Sequence, residues 1–253
     1  SNLNTALDLS SKTKGLKISM PDLQERIDKV RLRLLSAATK CGRSEAEIML
    51  VAVSKTRSAD AIRHAANNGL HHFGENYLQE ALEKIDTLKS LGLDWHFIGP
   101  IQSNKTRQIA ENFSWVHSVD RVKIAQRLSD QRPPDMPPLN ICLQINIDNE
   151  TTKAGLSPDQ ALLATKNILD LPNIKLRGLM AIPAVRQGQQ AQQKPFSKLQ
   201  QLMDEINRPL DKSEKLDTLS MGMSGDLEAA IFENATIIRV GTDIFGPRSV
   251  KQQ

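Results

Sequence analysis

The sequence predicts an α/β fold, a single closed (β/α)₈ TIM barrel with an extra N-terminal helix. Apolar strand-like runs alternate strictly with helical patterns, eight such runs occur, and several are apolar at every position. Strict alternation favours a parallel sheet, and continuous apolar runs indicate that both faces of the sheet are covered. An open doubly wound sheet is the structural alternative. No GxGxxG follows the first strand, which removes the usual dinucleotide-binding argument for that alternative.

The opening helix is predicted over Met20–Lys40, because apolar residues recur there at helical spacing and Pro21 suits a first turn. Short apolar runs predict eight strands, at Ile48–Val53, His72–Gly74, Trp95–Ile98, Trp115–Val119, Ile141–Ile147, Leu176–Ile182, Leu216–Ser220 and Thr236–Val240. Helical patterns lie between them, at Ala59–Asn68, Tyr77–Ser90, Ser103–Asn112, Arg121–Asp130, Pro158–Asp170, Ala191–Asn207 and Asp226–Asn234.

The domain organisation predicted from composition is simple. Residues 1–18 are polar, lack the apolar segment of a secretory signal, and are expected to form a flexible N-terminal tail. No shift in composition divides the remainder, so residues 19–253 are expected to form one barrel domain.

Composition also limits the classes of function. No apolar run approaches the roughly 20 residues that a membrane span needs. The formal net charge of +4 comes from basic residues interleaved with acids, which gives little support to nucleic-acid binding. Cys41 and Cys142 stand far apart, without the spacing of a disulfide framework or a zinc site, and no metal-binding motif occurs. We therefore expect a cytoplasmic protein without a metal, a membrane anchor or a nucleic-acid partner.

In a barrel of this kind the loops that follow the strands share one rim, and active sites gather there. The last two loops carry the clearest signal. In "SMGMSGDLEAAI", Gly222 and Gly225 loosen the backbone beside Ser224, just before a predicted helix whose N-terminus favours a phosphate. In "IIRVGTDIFG", Gly241 lets a ligand approach the backbone and Thr242 offers a hydroxyl.

A simpler interpretation of the first loop stays open. Ser224 would then only cap the helix, with Asp226 and Glu228 favouring its first turn. The same two carboxylates would repel a phosphate if they faced it. The Gly-Thr loop on the neighbouring strand favours the phosphate site.

Lys55 follows the first predicted strand, and two interpretations are open for it. It is either a solvated lysine at a strand end or a Schiff-base lysine, which needs a pKa depressed by burial and by nearby cations such as Arg57 and Arg239. A lysine and a phosphate-binding loop on one rim fit pyridoxal phosphate, which needs both. His96, between Trp95 and Phe97, is either a core histidine or a site residue.

Six motifs occur in a fixed order: "VAVSKT", "FGENYLQEALEKI", "WHFIGPIQSNK", "RGLMAIP", "LSMGMSGDLEAAI" and "IRVGTDIFG". Together they resemble the pyridoxal phosphate homeostasis proteins, the YggS/PROSC-like family, from about Ile48 to Gly246. The resemblance implies a fold type III pyridoxal 5'-phosphate (PLP) barrel, like the N-terminal domain of alanine racemase.

The resemblance also implies roles for individual residues. Lys55 would form the Schiff base with the cofactor, Arg239 would face the pyridine nitrogen, and the phosphate would be held by Ser224, Gly241 and Thr242. Asn76 and His96 match motif positions near the ligand. Lys153, in "NETTKAG", matches a family lysine that handles a second or transferred cofactor.

The implied function is intracellular PLP homeostasis: holding PLP as a lysine aldimine and releasing it to apo-enzymes or control circuits, without catalysis. An amino-acid racemase and a protein-binding regulator are the alternatives. Racemases of this fold use a tyrosine from a second domain of a partner subunit. This sequence has one tyrosine, Tyr77, and ends soon after the eighth predicted strand. We therefore expect a monomer whose racemase activity is at most weak.

Overall fold

The computed structural model describes residues 20–248, so the expected tail at residues 1–18 lies outside it. Eight parallel strands close into a barrel in chain order, which confirms the predicted architecture. The strands are β1 (Met49–Val53), β2 (His72–Glu75), β3 (Asp94–Phe97), β4 (Trp115–Val119), β5 (Leu139–Gln144), β6 (Ile174–Met180), β7 (Thr218–Ser220) and β8 (Ile237–Val240).

The helices are α1 (Met20–Lys40), α2 (Ala59–Asn67), α3 (Leu78–Thr87), α4 (Thr106–Asn112), α5 (Val122–Gln131), α6 (Pro158–Ile168), α7 (Gln189–Asn207), α8 (Leu227–Phe232) and α9 (Thr242–Phe245). Seven of them, α2 to α8, lie in the connections between the strands, while α1 precedes β1 and α9 follows β8. Among residues 20–248 no helix has both the length and the apolar character to cross a membrane. The short α9, directly after β8, was not predicted, because four residues carry too little periodicity to indicate a helix.

The predicted end of the fifth strand, at Ile147, was wrong. β5 ends at Gln144; the N–H of Ile145 still donates to the carbonyl of Met180 in β6 at 2.8 Å, and Ile145 forms an isolated bridge with Leu156. The N–H of Asn146 donates to the carbonyl of Leu156 at 2.9 Å, so the chain leaves the sheet to pair with its own loop. The apolar residues that suggested a longer strand are therefore part of a packed loop on the carboxyl rim.

The barrel interior has an apolar layer and a polar layer. Val51, Trp115, Cys142, Met180 and Ile237 form a small buried cluster inside the barrel, separate from the main core between strands and helices. The polar side chains of the interior are fully or almost fully buried; they are His96, His117, Ser220 and Arg239.

The opening helix α1 packs against α2, α8 and α9. Its buried face consists of apolar residues at helical spacing, Leu23, Ile27, Val30 and Leu34. This contact places α1 beside the two helices that follow β7 and β8, where the sequence predicts the phosphate site.

Candidate ligand-binding site

Lys55 lies two residues beyond the end of β1 and is half-buried. Its position after the end of β1 places it on the carboxyl rim of the barrel. Burial lowers the pKa of its amine, and the positive charge of Arg248 lowers it further. No carboxylate among residues 20–248 forms an ion pair with it. A lowered pKa leaves more of the amine neutral at physiological pH, which is the form that attacks a carbonyl.

Arg57, expected as a cation beside Lys55, has another role. Its guanidinium donates to the carbonyls of Phe245, at 3.3 Å, and Gly246, at 2.6 Å. It therefore joins the loop after β1 to the end of α9, and Arg248 is the cation that lowers the pKa of Lys55.

Arg239 lies inside the barrel with 3% of its surface exposed. It donates to the hydroxyl of Ser220 at 2.6 Å and to the carbonyl of Ala181 at 3.1 Å. Burial lowers its pKa to about 10, an effect that the charge of Asp226 opposes. The guanidinium is still charged at neutral pH, yet no carboxylate among the described residues pairs with it. A buried cation without an anion is costly, so an acceptor or anion supplied by a ligand would find a partner here.

His96 is fully buried, and both of its ring nitrogens meet other histidines. Nε2 lies 3.0 Å from Nδ1 of His72, and Nδ1 lies 2.8 Å from Nε2 of His117. His117 Nδ1 in turn lies 2.7 Å from the hydroxyl of Ser220, which also binds Arg239. Burial holds the pKa of His96 and His117 well below the usual range, so both are neutral. His96 is therefore connected to Arg239 through His117 and Ser220, and an effect of His96 on a ligand would be transmitted along these contacts.

Asn76 directly follows β2 and contributes an unsatisfied acceptor. Its side-chain oxygen is buried and has no hydrogen-bond partner among the described residues. A buried polar atom of this kind costs free energy unless something binds it, so a donor from a ligand would stabilise it here. The backbone here is close-packed, since a Cβ at Gly99 would lie 2.3 Å from the carbonyl oxygen of Asn76.

Ser224 does not cap α8, so the simpler interpretation of its loop was wrong. The N-cap is Asp226, whose carboxylate accepts from the N–H of Met223 at 2.8 Å. No side chain or backbone group among residues 20–248 binds the Ser224 hydroxyl. The chain bends at Gly222, where φ is 102° and an added Cβ would lie 2.6 Å from Ala230.

The loop after β8 begins α9. Gly241 is the N-cap of this helix, and Thr242, its first residue, is exposed. A Cβ at Gly241 would come no closer than 3.4 Å to Val53, which is an ordinary contact. Protein packing therefore does not require glycine at position 241, whereas a ligand close to the backbone would.

Arg33 of α1 pairs with Glu228, one of the two carboxylates expected to repel a phosphate. Its guanidinium binds Glu228 through two hydrogen bonds, at 2.6 and 2.8 Å, and Asp243 at 2.6 Å. A further bond, at 2.9 Å, goes to the carbonyl of Ser224. We call Arg33, Glu228 and Asp243 the Arg33 cluster. The sequence did not reveal it, because an arginine on an amphipathic helix has the same pattern whether it is solvated or paired.

Lys153 lies in the loop after β5 and differs from Lys55 in its surroundings. Its ammonium is 3.5 Å from Glu150 and 3.9 Å from Asp148. Two carboxylates therefore lie close to its ammonium, whereas no carboxylate among the described residues pairs with Lys55, and a role for Lys153 with a second cofactor stays a prediction.

A cavity of about 860 Å³ opens at the other, N-terminal mouth of the barrel. Its polar lining includes His72, Arg177 and Asp217, and it contains no lysine. Arg177 is already paired with Asp217 at 3.1 Å. The groups that could bind an aldehyde and a phosphate lie on the carboxyl rim instead.

Comparison with known proteins shows which family this chain is similar to. The alanine racemase N-terminal domain family matches residues 27–249. A pyridoxal phosphate homeostasis protein of Pseudomonas aeruginosa is 55% identical over 229 residues, which cover 90% of this chain and 97% of that protein. The structure of PipY from Synechococcus elongatus with PLP bound is 35% identical and has a TM-score of 0.77; the match covers 88% of this chain and 100% of that one.

A more distant similarity concerns the fold alone. An alanine racemase of Clostridium difficile is 14% identical, with a TM-score of 0.66, over 91% of this chain and 58% of the racemase. This chain therefore matches only part of the longer racemase.

Proposed function

Because the chain belongs to the pyridoxal phosphate homeostasis protein family, we propose that it binds PLP covalently and reversibly through Lys55. When bound, PLP supplies an aldehyde that condenses with a primary amine. One observation carries the proposal: Lys55, half-buried and with a lowered pKa, shares a rim with a buried arginine that lacks a carboxylate partner among the described residues.

The groups on the rim match the parts of the cofactor. Ser224, Gly241 and Thr242 are assigned to the phosphate, and pairing with Arg33 weakens the repulsion from the nearby Glu228. The unpaired oxygen of Asn76 is assigned to a donor of the ligand.

Arg239 is assigned to the pyridine nitrogen, and its chemistry favours a carrier over an enzyme. With a pKa of about 10 it stays protonated at neutral pH and offers only hydrogen-bond donors. A donor facing the ring nitrogen keeps that nitrogen unprotonated, so the ring withdraws electrons weakly. Amino-acid chemistry on the cofactor is then slow, and holding and releasing PLP is the activity that these residues support.

We further propose that the protein works as a cytoplasmic monomer and passes PLP to apo-enzymes. Its relatives are named for PLP homeostasis, and a carrier needs acceptors for its cargo. The racemase alternative has less support, because the similarity to a racemase is at the level of the fold. Tyr77 is 54% exposed and is the N-cap of α3 without a side-chain hydrogen bond, so no group among residues 20–248 holds it in place as a base.

A transfer assay tests this function. Protein loaded with PLP and freed of excess is mixed with an apo-enzyme that requires PLP, and recovery of that enzyme's activity is followed over time. We expect recovery faster than from spontaneous dissociation into buffer, and no measurable racemisation of alanine. Racemisation at the turnover numbers of ordinary enzymes, about 1–10³ per second, would favour the racemase instead. Loading without transfer would favour the protein-binding regulator.

A further inference from the structure

Next to Lys55 lies a group of three charged side chains, the buried Glu75 and Lys84 and the partly exposed Glu80, which we call the Lys84 cluster. The ammonium of Lys84, on α3, is 2.6 Å from Glu75 and 2.6 Å from Glu80. The side chain of Lys84 is 8% exposed and that of Glu75, at the end of β2, is 1% exposed. The sequence did not single out these residues for any role, and none of them is assigned to the cofactor.

The cluster binds the residue before Lys55. The Lys84 ammonium donates to the carbonyl oxygen of Ser54 at 2.7 Å. The hydroxyl of Ser54 donates to the second carboxylate oxygen of Glu75 at 2.9 Å. Both the backbone and the side chain of Ser54 are therefore held by the cluster.

The cluster also binds the residue after Lys55. The backbone N–H of Thr56 donates to Glu80 through a short hydrogen bond. Thr56 has a φ of 66°, which is the left-handed region. A β-branched residue rarely adopts this conformation, because its side chain meets the backbone there. The turn that presents Lys55 is therefore maintained by its contacts, since the residue at position 56 disfavours it.

We propose that the Lys84 cluster is a positioning device for Lys55, which fixes the turn from Ser54 to Thr56 and thereby sets the rates of PLP uptake and release. This inference rests on the proposed function. The cluster touches neither cofactor nor reacting atoms in this account. It acts by holding the backbone on both sides of Lys55, so that the amine keeps one position on the rim instead of moving as the turn opens toward solvent.

Variants at position 80 test the proposal, because the Glu80 side chain is 30% exposed and tolerates replacement better than its buried partners. Glu80→Ala removes the acceptor of the Thr56 N–H, whereas Glu80→Gln keeps an oxygen there. Two ligands are compared: PLP, whose covalent uptake is followed by absorbance, and pyridoxine 5'-phosphate, which has an alcohol in place of the aldehyde. Only PLP needs a correctly placed Lys55 amine, because only PLP has the aldehyde that reacts with it.

We expect Glu80→Ala to slow covalent uptake by about tenfold, the effect of roughly one charge-assisted hydrogen bond. Affinity for pyridoxine 5'-phosphate should change by less than about twofold in the same variant, because the phosphate loops and Arg239 are intact. Glu80→Gln should stay close to wild type. Thr56→Asn, placed in the Glu80→Ala background, should restore much of the rate, because asparagine accepts the left-handed turn without help.

Equal uptake rates in wild type and Glu80→Ala would refute the positioning role of the Lys84 cluster and would leave the proposed function standing. A parallel loss of pyridoxine 5'-phosphate binding, or no recovery with Thr56→Asn, would also overturn it, because the cluster would then only support the fold. A wild-type protein that forms no adduct at Lys55 would refute the proposed function itself, and this inference with it.

Discussion

Two charged clusters support opposite sides of the rim, and burial distinguishes them. The Lys84 cluster lies on the β1–β2 side, where the ion pair of Lys84 with Glu75 is 8% and 1% exposed. The Arg33 cluster lies on the β7–β8 side, with side chains between 32% and 41% exposed. Ion-pair distances are 2.6 Å in both, so distance does not separate them. Water can replace a lost partner throughout the second cluster, whereas in the first it reaches Glu80, at 30% exposed, but not the pair of Lys84 with Glu75.

Because of this difference in burial, one half of the site is held rigidly and the other half tolerates the loss of an ion pair. Breaking a buried ion pair leaves a charge that water cannot reach. Because this is costly, the pair stays closed and that half of the site is rigid. A half-exposed pair exchanges its partner for water and salt at little cost. In this account the buried cluster fixes the turn that carries Lys55, while the half-exposed cluster adjusts the charge near the phosphate loops.

Lys84→Met should have the largest effect on stability. It leaves Glu75 buried without its cation, so we expect the free energy of unfolding to fall by about 3–5 kcal/mol. Lys89→Met is the control, because Lys89 is 79% exposed and 3.8 Å from Asp86, and it should change stability little. Urea denaturation of the three proteins measures the difference. A loss in Lys84→Met as small as that in the control would remove the distinction between the clusters.

The loss of stability in Lys84→Met should depend on pH. Burial raises the pKa of Glu75, and Lys84 opposes this shift, so the pKa should rise further in the variant. A carboxyl with a pKa higher in the folded than in the unfolded protein destabilises the fold above its folded-state pKa. That cost is relieved as the pH falls through the raised pKa toward the ordinary 4.5. Denaturation repeated at decreasing pH should therefore show the gap to wild type narrowing; a gap that widens would show another cause.

Arg239→Met sharpens the comparison, because Arg239 is a buried charge without a carboxylate partner among residues 20–248. Affinity for PLP should fall about tenfold to a hundredfold, as for a lost charge-assisted hydrogen bond. The free energy of unfolding should stay level or rise, because an uncompensated buried cation is replaced by an apolar side chain. Calorimetric titration and urea denaturation measure the two quantities. Arg177→Met, at the other mouth of the barrel, is the control and should leave affinity unchanged.

Arg33→Met should have the smallest effect on stability, about 1 kcal/mol or less, because its partners are half-exposed. PLP affinity should fall, since Glu228 and Asp243 then repel the phosphate. Salt screens this repulsion, so the difference from wild type should shrink as ionic strength rises. Arg33→Lys keeps the charge and should recover most of the affinity at low salt. An affinity gap that does not respond to salt would mean that Arg33 acts through structure instead of charge.

The architecture and the rim could be predicted from the sequence, because they depend on local patterns. Alternating apolar runs and helical spacing predicted the eight strands, and strand order placed Lys55, Asn76 and Gly241 on one rim. Where an apolar run entered a loop, as at Ile147, the pattern could not show that the chain had left the sheet.

The clusters could not be predicted, because they depend on which helix face is buried. Glu80 and Lys84 are four residues apart in "QEALEKI", a spacing equally typical of a solvated helix surface. Only the packing of α3 beside β1 and β2 turns this pair into a buried contact with Glu75 and Ser54. Arg33 depends in the same way on the contact of α1 with α8 and α9.

The most direct test of the central claim is the identity of the modified lysine. The protein is incubated with PLP, reduced with borohydride and digested, and the modified peptide is identified by mass spectrometry. We predict a single major adduct on Lys55, retained in Lys153→Ala and lost in a folded Lys55→Ala protein. A major adduct on Lys153, or an undiminished adduct in Lys55→Ala, would contradict the account.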